Sequence, residues 1–140
     1  MKVLILNGPN LNLTGTRDPD IYGTTSFESF IPALQKKFPD HTIEYRQSNH
    51  EGELIDWLQS VQSQGFQAVV FNPGAYAHTS YALADTLSSA MYPVIEVHIS
   101  NIQAREKFRH RSLTGAHCKG MISGLGLTGY TLAVAALTEV

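Results

Sequence analysis

Short apolar runs alternate with stretches in which hydrophobic residues return every third or fourth position, from one end of the chain to the other. The first run, residues 3–6 (Val-Leu-Ile-Leu), is apolar on both faces, as a central parallel strand is. Further on, Phe27, Phe30, Ile31, Leu34 and Phe38 fall at helical spacing behind a Thr25/Glu28 capping box. Pro32 conflicts with that helix, either kinking it or moving its start, and the boundary stays open. Residues 42–47 alternate, Ile43 and Tyr45 against Glu44 and Arg46, the mark of a half-wetted edge strand. Ser48 and Glu51 make a second capping box before a stripe of Leu54, Ile55, Leu58 and Val61, with Gly65 as the helix stop.

A third strand is predicted over 68–71, ending in the turn Asn72-Pro73-Gly74. A helix over about 79–91 follows, with Leu83, Leu87 and Met91 inward, and Pro93 opens a fourth strand over 94–99. A short helix from about Asn101, a fifth strand over 120–123 and a final helix with Leu127, Tyr130, Val134 and Leu137 on one face complete the pattern. Alternation of this kind predicts an α/β fold with helices on both faces of a parallel sheet. With the alternating second strand at an edge, the expected form is flavodoxin-like, with strand order 2-1-3-4-5. Ligands in such sheets sit outside the carboxyl ends of the strands, near the switch point between the first and third.

The loop over residues 7–23 lies at that point. It is rich in Gly, Pro, Asn and Asp and carries no apolar period, which suits an active-site loop with a mobile lid. Its Arg17 and Tyr22 read either as solvated lid residues, as loop Arg and Tyr usually are, or as groups that act on a bound anion or a proton. Tyr22 as a base needs its pKa brought down from about 10, and an adjacent guanidinium such as Arg17 supplies that effect.

Glu96 and His98 are the sharpest local signal, since residues two apart on a strand share a face. A carboxylate beside an imidazole fixes the ring's tautomer and suits it to act as a general acid. Such pairs at strand ends are commonly structural, and the long loop beside this one tips the reading towards chemistry. Ile99-Ser100-Asn101 leads into the predicted short helix, with Ser100 and Gln103 at capping spacing. That spacing commonly serves plain capping, and exposed backbone N–H groups there would also make a seat for an anion. His78 follows the Asn72-Pro73-Gly74 turn and is expected to face the same crevice. Asp85, Arg105 and Arg109 read by default as solvated helix charges.

Composition narrows the classes. The 140 residues fit one domain, taken as a single catalytic domain over 1–140, and the net charge of −2 gives no reason to expect nucleic acid or a membrane surface. The single cysteine, Cys118, excludes an internal disulfide framework and fits a reducing, cytoplasmic setting. No apolar run is long enough to span a bilayer. The six histidines show no metal-ligand spacing, so no metal is expected. Residues 124–129 match G-x-G-x-x-G, but no acidic residue or further strand follows, and these glycines are read as close packing of the last helix. A receiver-type module on the same fold needs acidic residues where Asn7 and Asn72 stand. A flavin module needs a helix directly after the loop, whatever contacts Thr14 and Thr16 offer a phosphate.

The motifs together resemble one family. Residues 7–13 (Asn-Gly-Pro-Asn-Leu-Asn-Leu), 15–17 (Gly-Thr-Arg) and 21–23 (Ile-Tyr-Gly) look like the opening of the type II 3-dehydroquinate dehydratases. Residues 47–52, 72–76 with 78–80, and 96–101 with Arg105-Glu106 and 108–110 are similar to that family's other motifs, in order and without large gaps. The resemblance implies dehydration of 3-dehydroquinate to 3-dehydroshikimate, in the shikimate pathway or in quinate breakdown. It implies an anti elimination through an enolate, with no cofactor and no Schiff-base lysine. By the same resemblance Tyr22 removes the proton beside the ketone, Arg17 keeps Tyr22 reactive, and Asn12 helps to stabilise the enolate. His98 protonates the departing hydroxyl, with Glu96 orienting it. Ile99 and Ser100 hold the substrate carboxylate, and Asn72, His78 and Arg109 bind ring hydroxyls. Asp85 is similar to a residue that reaches a neighbouring subunit's site, in a dodecamer built from trimers.

Overall fold

In the computed structural model, residues 1–16, 19–22 and 24–139 are described, with only the backbone of Pro19 and Tyr22. Five parallel strands form one sheet in the order β2-β1-β3-β4-β5. They are β1 (Lys2–Asn7), β2 (Thr42–Gln47), β3 (Ala68–Asn72), β4 (Val94–His98) and β5 (Gly120–Ser123). The helices are α1 (Pro19–Tyr22), α2 (Phe27–Lys37), α3 (Glu51–Gln59), α4 (Tyr81–Ser88) and α5 (Thr128–Thr138). The flavodoxin-like order expected from the sequence is the one observed.

The two-residue period of β1 sorts its apolar run between two cores. Val3 and Ile5 join Ile43, Val70 and Val97 beneath α2 and α5. Leu4 and Leu6 join Val69 and Phe71 beneath α3 and α4. Burying apolar side chains on both faces, at roughly 25 cal/mol per Å², holds β1 and the equally buried β3 in the interior of the sheet. The polar strand-end residues Asn7, Asn72 and His98 are thereby held at one rim of a rigid platform.

Several boundaries differ from the periodicity reading. Ser26, not Thr25, caps α2, because its hydroxyl reaches the Ser29 amide at 3.3 Å. Pro32 sits inside that helix on its exposed face, so the carbonyl deprived of a partner lies towards water. Ser48 is not the cap of α3. It accepts the His50 amide at 3.0 Å and turns the chain into a helix capped at His50. Helix α3 ends at Gln59, and Gly65, at φ +84°, ends the turns that follow. Helix α4 starts later and stops earlier than predicted, running from Tyr81, behind a Ser80 cap, to Ser88, which leaves Met91 83% exposed.

The expected short helix after Asn101 is two separate 3₁₀ turns, Ile102–Ala104 and Lys107–Arg109, and the first is capped by Asn101 rather than Ser100. The 7–23 loop is less irregular than its composition suggests, carrying a 3₁₀ turn at Leu11–Leu13 and the four residues of α1. Of the glycines read as close packing, Gly129 fits. A Cβ there would lie 3.3 Å from Val97 Cγ1 and 3.4 Å from Ile122 Cγ2, against the strands. Gly124 and Gly126 instead serve a turn, at φ +89° and +60°. Among the described residues no helix is long and apolar enough to cross a membrane.

Candidate active site

Asn7 and Asn72 end neighbouring strands as register partners, and both are buried. Buried amides need partners, and the phenol of Tyr130, from α5, supplies them. It donates to Asn7 Oδ1 at 2.7 Å and accepts from Asn72 Nδ2 at 2.8 Å. Burial pushes the Tyr130 phenol far up, so it stays a neutral hydroxyl able to do both. Asn72 Oδ1 also accepts the Gly74 amide at 3.0 Å. One N–H of the Asn72 amide is left over, and Asn72 lines a cleft.

That cleft, of about 150 Å³, opens at the carboxyl ends of β1, β3 and β4. Gly8 lets two loops meet at its floor. The Gly8 amide donates to Asn72 O at 2.7 Å, and a Cβ there would come within 2.5 Å of Pro73 O.

His98 is buried in the wall of the cleft, and its Nε2 lies 2.8 Å from Oε2 of the fully buried Glu96. The period of β4 puts both on one face, as the sequence implied. Glu96 is held further by Ser112 Oγ, which donates to Oε2 at 2.5 Å, and by Thr114 Oγ1, which donates to Oε1. With hydroxyls donating to both oxygens, Glu96 is an acceptor towards His98, so His98 Nε2 carries a proton. Nδ1 is the nitrogen left for chemistry.

His78 stacks on His98, with ring centroids 6.1 Å apart and planes 25° apart. Its Nδ1 lies 2.8 Å from the carbonyl of Arg111, so Nδ1 donates and Nε2 is an acceptor. Burial holds the His78 pKa below the usual histidine value, and the neighbouring His98 and Arg109 act in the same direction.

Arg105 and Arg109 are not a solvated face. Both line the cleft, and Arg105 Nη1 reaches Ser100 Oγ at 3.4 Å. Arg109 lies over the Phe108 ring at 4.8 Å, and its Nε donates to Glu106 Oε2 at 2.5 Å. The three-residue 3₁₀ turn after Asn101 is too short for a helix-dipole seat, and the Asn101 side chain takes the Gln103 amide. The positive character beside Ile99 and Ser100 comes from the two arginines instead. Among the described residues, none lining the cleft is acidic and none is lysine. Nor do the described residues contain a group of three or more His, Cys, Asp or Glu able to hold a metal.

The site residues expected from the sequence thus divide. Asn72, His78, His98, Ile99, Ser100 and Arg109 line one cleft, with Glu96 directly behind His98. Asn12 lines a neighbouring hollow with Tyr45, Gln47 and α2, although Leu11 beside it borders both spaces. Asp85 is exposed on α4 and does not line the cleft. Arg17 and the Tyr22 side chain lie outside the described residues. Sequence reasoning missed Ser112, Thr114 and the role of Tyr130, and it set Arg105 aside. Only the four-residue spacing of Arg105 and Arg109 hinted at a shared surface.

Known proteins agree with this geometry. A family model described as "Dehydroquinase class II" matches residues 1–138. The 3-dehydroquinate dehydratase of Deinococcus radiodurans is 49% identical over 140 residues, covering 99% of this chain and 98% of that protein. That of an Exiguobacterium species is 51% identical over 140 residues, covering 99% and 95%. The crystal structure of a type II dehydroquinase from Butyrivibrio crossotus superposes with a TM-score of 0.94 at 45% identity, covering 98% of this chain and 97% of that one. Matched in sequence from end to end and in the arrangement of its strands, the chain belongs to the class II dehydroquinase family.

Proposed function

We propose that this chain dehydrates 3-dehydroquinate to 3-dehydroshikimate, as a single catalytic domain working in the cytoplasm. The observation that carries the reading is the Glu96–His98 pair. It opens on a cleft with two arginines and, among its described residues, no acidic side chain. Loss of water is redox-neutral: a proton leaves the carbon beside the ketone, the resulting enolate expels hydroxide, and an acid protonates it. An acid and a base are sufficient, so no cofactor is invoked.

His98 is the acid, delivering its proton from Nδ1 to the departing hydroxyl while Glu96 holds Nε2. Tyr22 is the base, kept reactive by Arg17, and it works on the opposite face of the ring, which makes the elimination anti. The substrate carboxylate sits at Ile99 and Ser100, with Arg105 beside it. The free N–H of Asn72, Nε2 of His78 and the Arg109 guanidinium bind ring hydroxyls. Asn12 stabilises the enolate through a water. Asp85 serves the cleft of a neighbouring subunit, in a dodecamer built from trimers.

The test is the ultraviolet absorbance of the conjugated enone product, followed with 3-dehydroquinate as substrate. It is run before and after treatment of the enzyme and substrate with borohydride. Activity that survives supports the imine-free route. No enone formation overturns the function, and inactivation by borohydride overturns the mechanism.

A further inference from the structure

We propose that the hydroxyls of Ser112 and Thr114 are positioning groups for catalysis, clamping Glu96 so that it holds His98 in the tautomer and orientation the reaction uses. The inference rests on the reading of His98 as the acid and extends it to two residues on the connection before β5 that do not line the cleft.

The hydrogen-bond inventory carries it. A carboxylate with no exposed surface is costly unless its oxygens are filled. Ser112 Oγ accepts the Gly115 amide at 2.9 Å, which turns its single proton towards Glu96 Oε2 at 2.5 Å. Thr114, also fully buried, gives its proton to Oε1. Their own oxygens lie 3.2 Å apart. Gly115 closes the clamp, because a Cβ there would stand 3.2 Å from Glu96 Oε2 and 3.1 Å from Ser112 Oγ. Both carboxylate oxygens are thus occupied and rotation about the terminal bond is blocked. The position left on Oε2 is the one His98 fills at 2.8 Å.

The other titratable groups facing this cluster are His78, stacked on His98, and Cys118, whose thiol is pushed up to about 12 by burial and by Glu96. Cys118 donates to the Thr114 carbonyl at 3.4 Å, so it stays a neutral thiol and does not compete for the carboxylate.

The experiment compares wild type with Thr114→Val, Ser112→Ala and the conservative Thr114→Ser. Three readouts are taken: kcat and KM on 3-dehydroquinate, the pH profile of kcat, and the ring nitrogen shifts of His98 by NMR titration. Removing a donor frees one carboxylate oxygen and loosens the hold of Glu96 on His98. Thr114→Val is therefore expected to lower kcat about tenfold with little change in KM, the size of one lost hydrogen bond to a charged group. Its pH profile of kcat and the His98 ring nitrogen shifts should both differ from those of wild type. Thr114→Ser should restore all three.

Folded variants that lose only thermal stability, with kcat, pH profile and His98 shifts unchanged, overturn the proposal. Should Thr114→Val fail to fold, Ser112→Ala carries the same test. Should wild type fail to dehydrate 3-dehydroquinate, the function above falls, and the His98 titration alone decides this inference. A shift in Thr114→Val supports the clamp, and identical titrations refute it.

Discussion

Asn7 and Asn72, 65 residues apart and paired across the first and third strands, share the phenol of Tyr130. That hydroxyl joins the last helix to the switch point of the sheet and leaves Asn72 with one N–H to offer the cleft. Tyr130→Phe strands two buried amides at once. Each buried polar group left without a partner costs about 1–3 kcal/mol. Chemical denaturation should show a loss of that order, with a raised KM from the loosened Asn72. Unchanged stability would mean that the amides find other partners.

His98→Ala and Tyr22→Phe are each expected to reduce kcat much more than they raise KM. Positioned acids and bases contribute about 10²–10⁴-fold, and a drop in that range at saturating substrate is the prediction. A variant that keeps near-wild-type kcat removes its residue from the mechanism. Arg17→Ala should lose activity with the fold intact by circular dichroism.

The stacked His78 makes stability depend on pH. Its pKa is lowered in the folded protein, chiefly by burial, so below the ordinary histidine value the unfolded chain binds the proton more readily. Stability rises with pH wherever the unfolded state holds more protons, so His78 costs the fold stability increasingly as pH falls below about 6.5. Above that value both states are neutral there and the term vanishes. Denaturation midpoints of His78→Asn should fall less steeply than wild type on going from neutral to mildly acidic pH. Parallel curves would show that His78 titrates alike in both states.

Gly8→Ala tests how tightly the cleft floor is set. The new Cβ would meet backbone atoms of Pro73 at 2.5 and 2.7 Å, where no flexible side chain can give way. Separation of the two loops shifts Asn72 and Gly74. Activity should fall by more than the loss of stability explains, measured as kcat/KM well below the melting point. Wild-type kcat/KM would mean that the floor adapts.

The fold was legible because its two central strands, β1 and β3, carry unbroken apolar runs, and residues such as Leu4 and Ile5 have no reading except burial on opposite faces. Asn72 and His98 were legible as strand-end residues for the same reason. Helix ends were less so. Thr25 and Ser26 both have the chemistry of a cap, and only the fold decides which hydroxyl reaches the Ser29 amide. Met91 keeps the helical period of Leu83 and Leu87 but lies beyond the end of α4. Arg105 and Arg109 mimic one helical turn although the chain makes two separate ones. Ser112 and Thr114 look like ordinary loop residues, because what they do depends on Glu96, 16 and 18 residues earlier.

The proposed catalysis turns on one ring held between two proton-transfer groups. A crystal structure of His98→Asn with 3-dehydroquinate bound tests this most directly. The carboxylate should lie at Ile99–Ser100, with the ring's leaving hydroxyl facing position 98 and the Tyr22 phenol on the opposite face. A substrate ring bound outside this cleft, or with Tyr22 and position 98 on the same face, would contradict it.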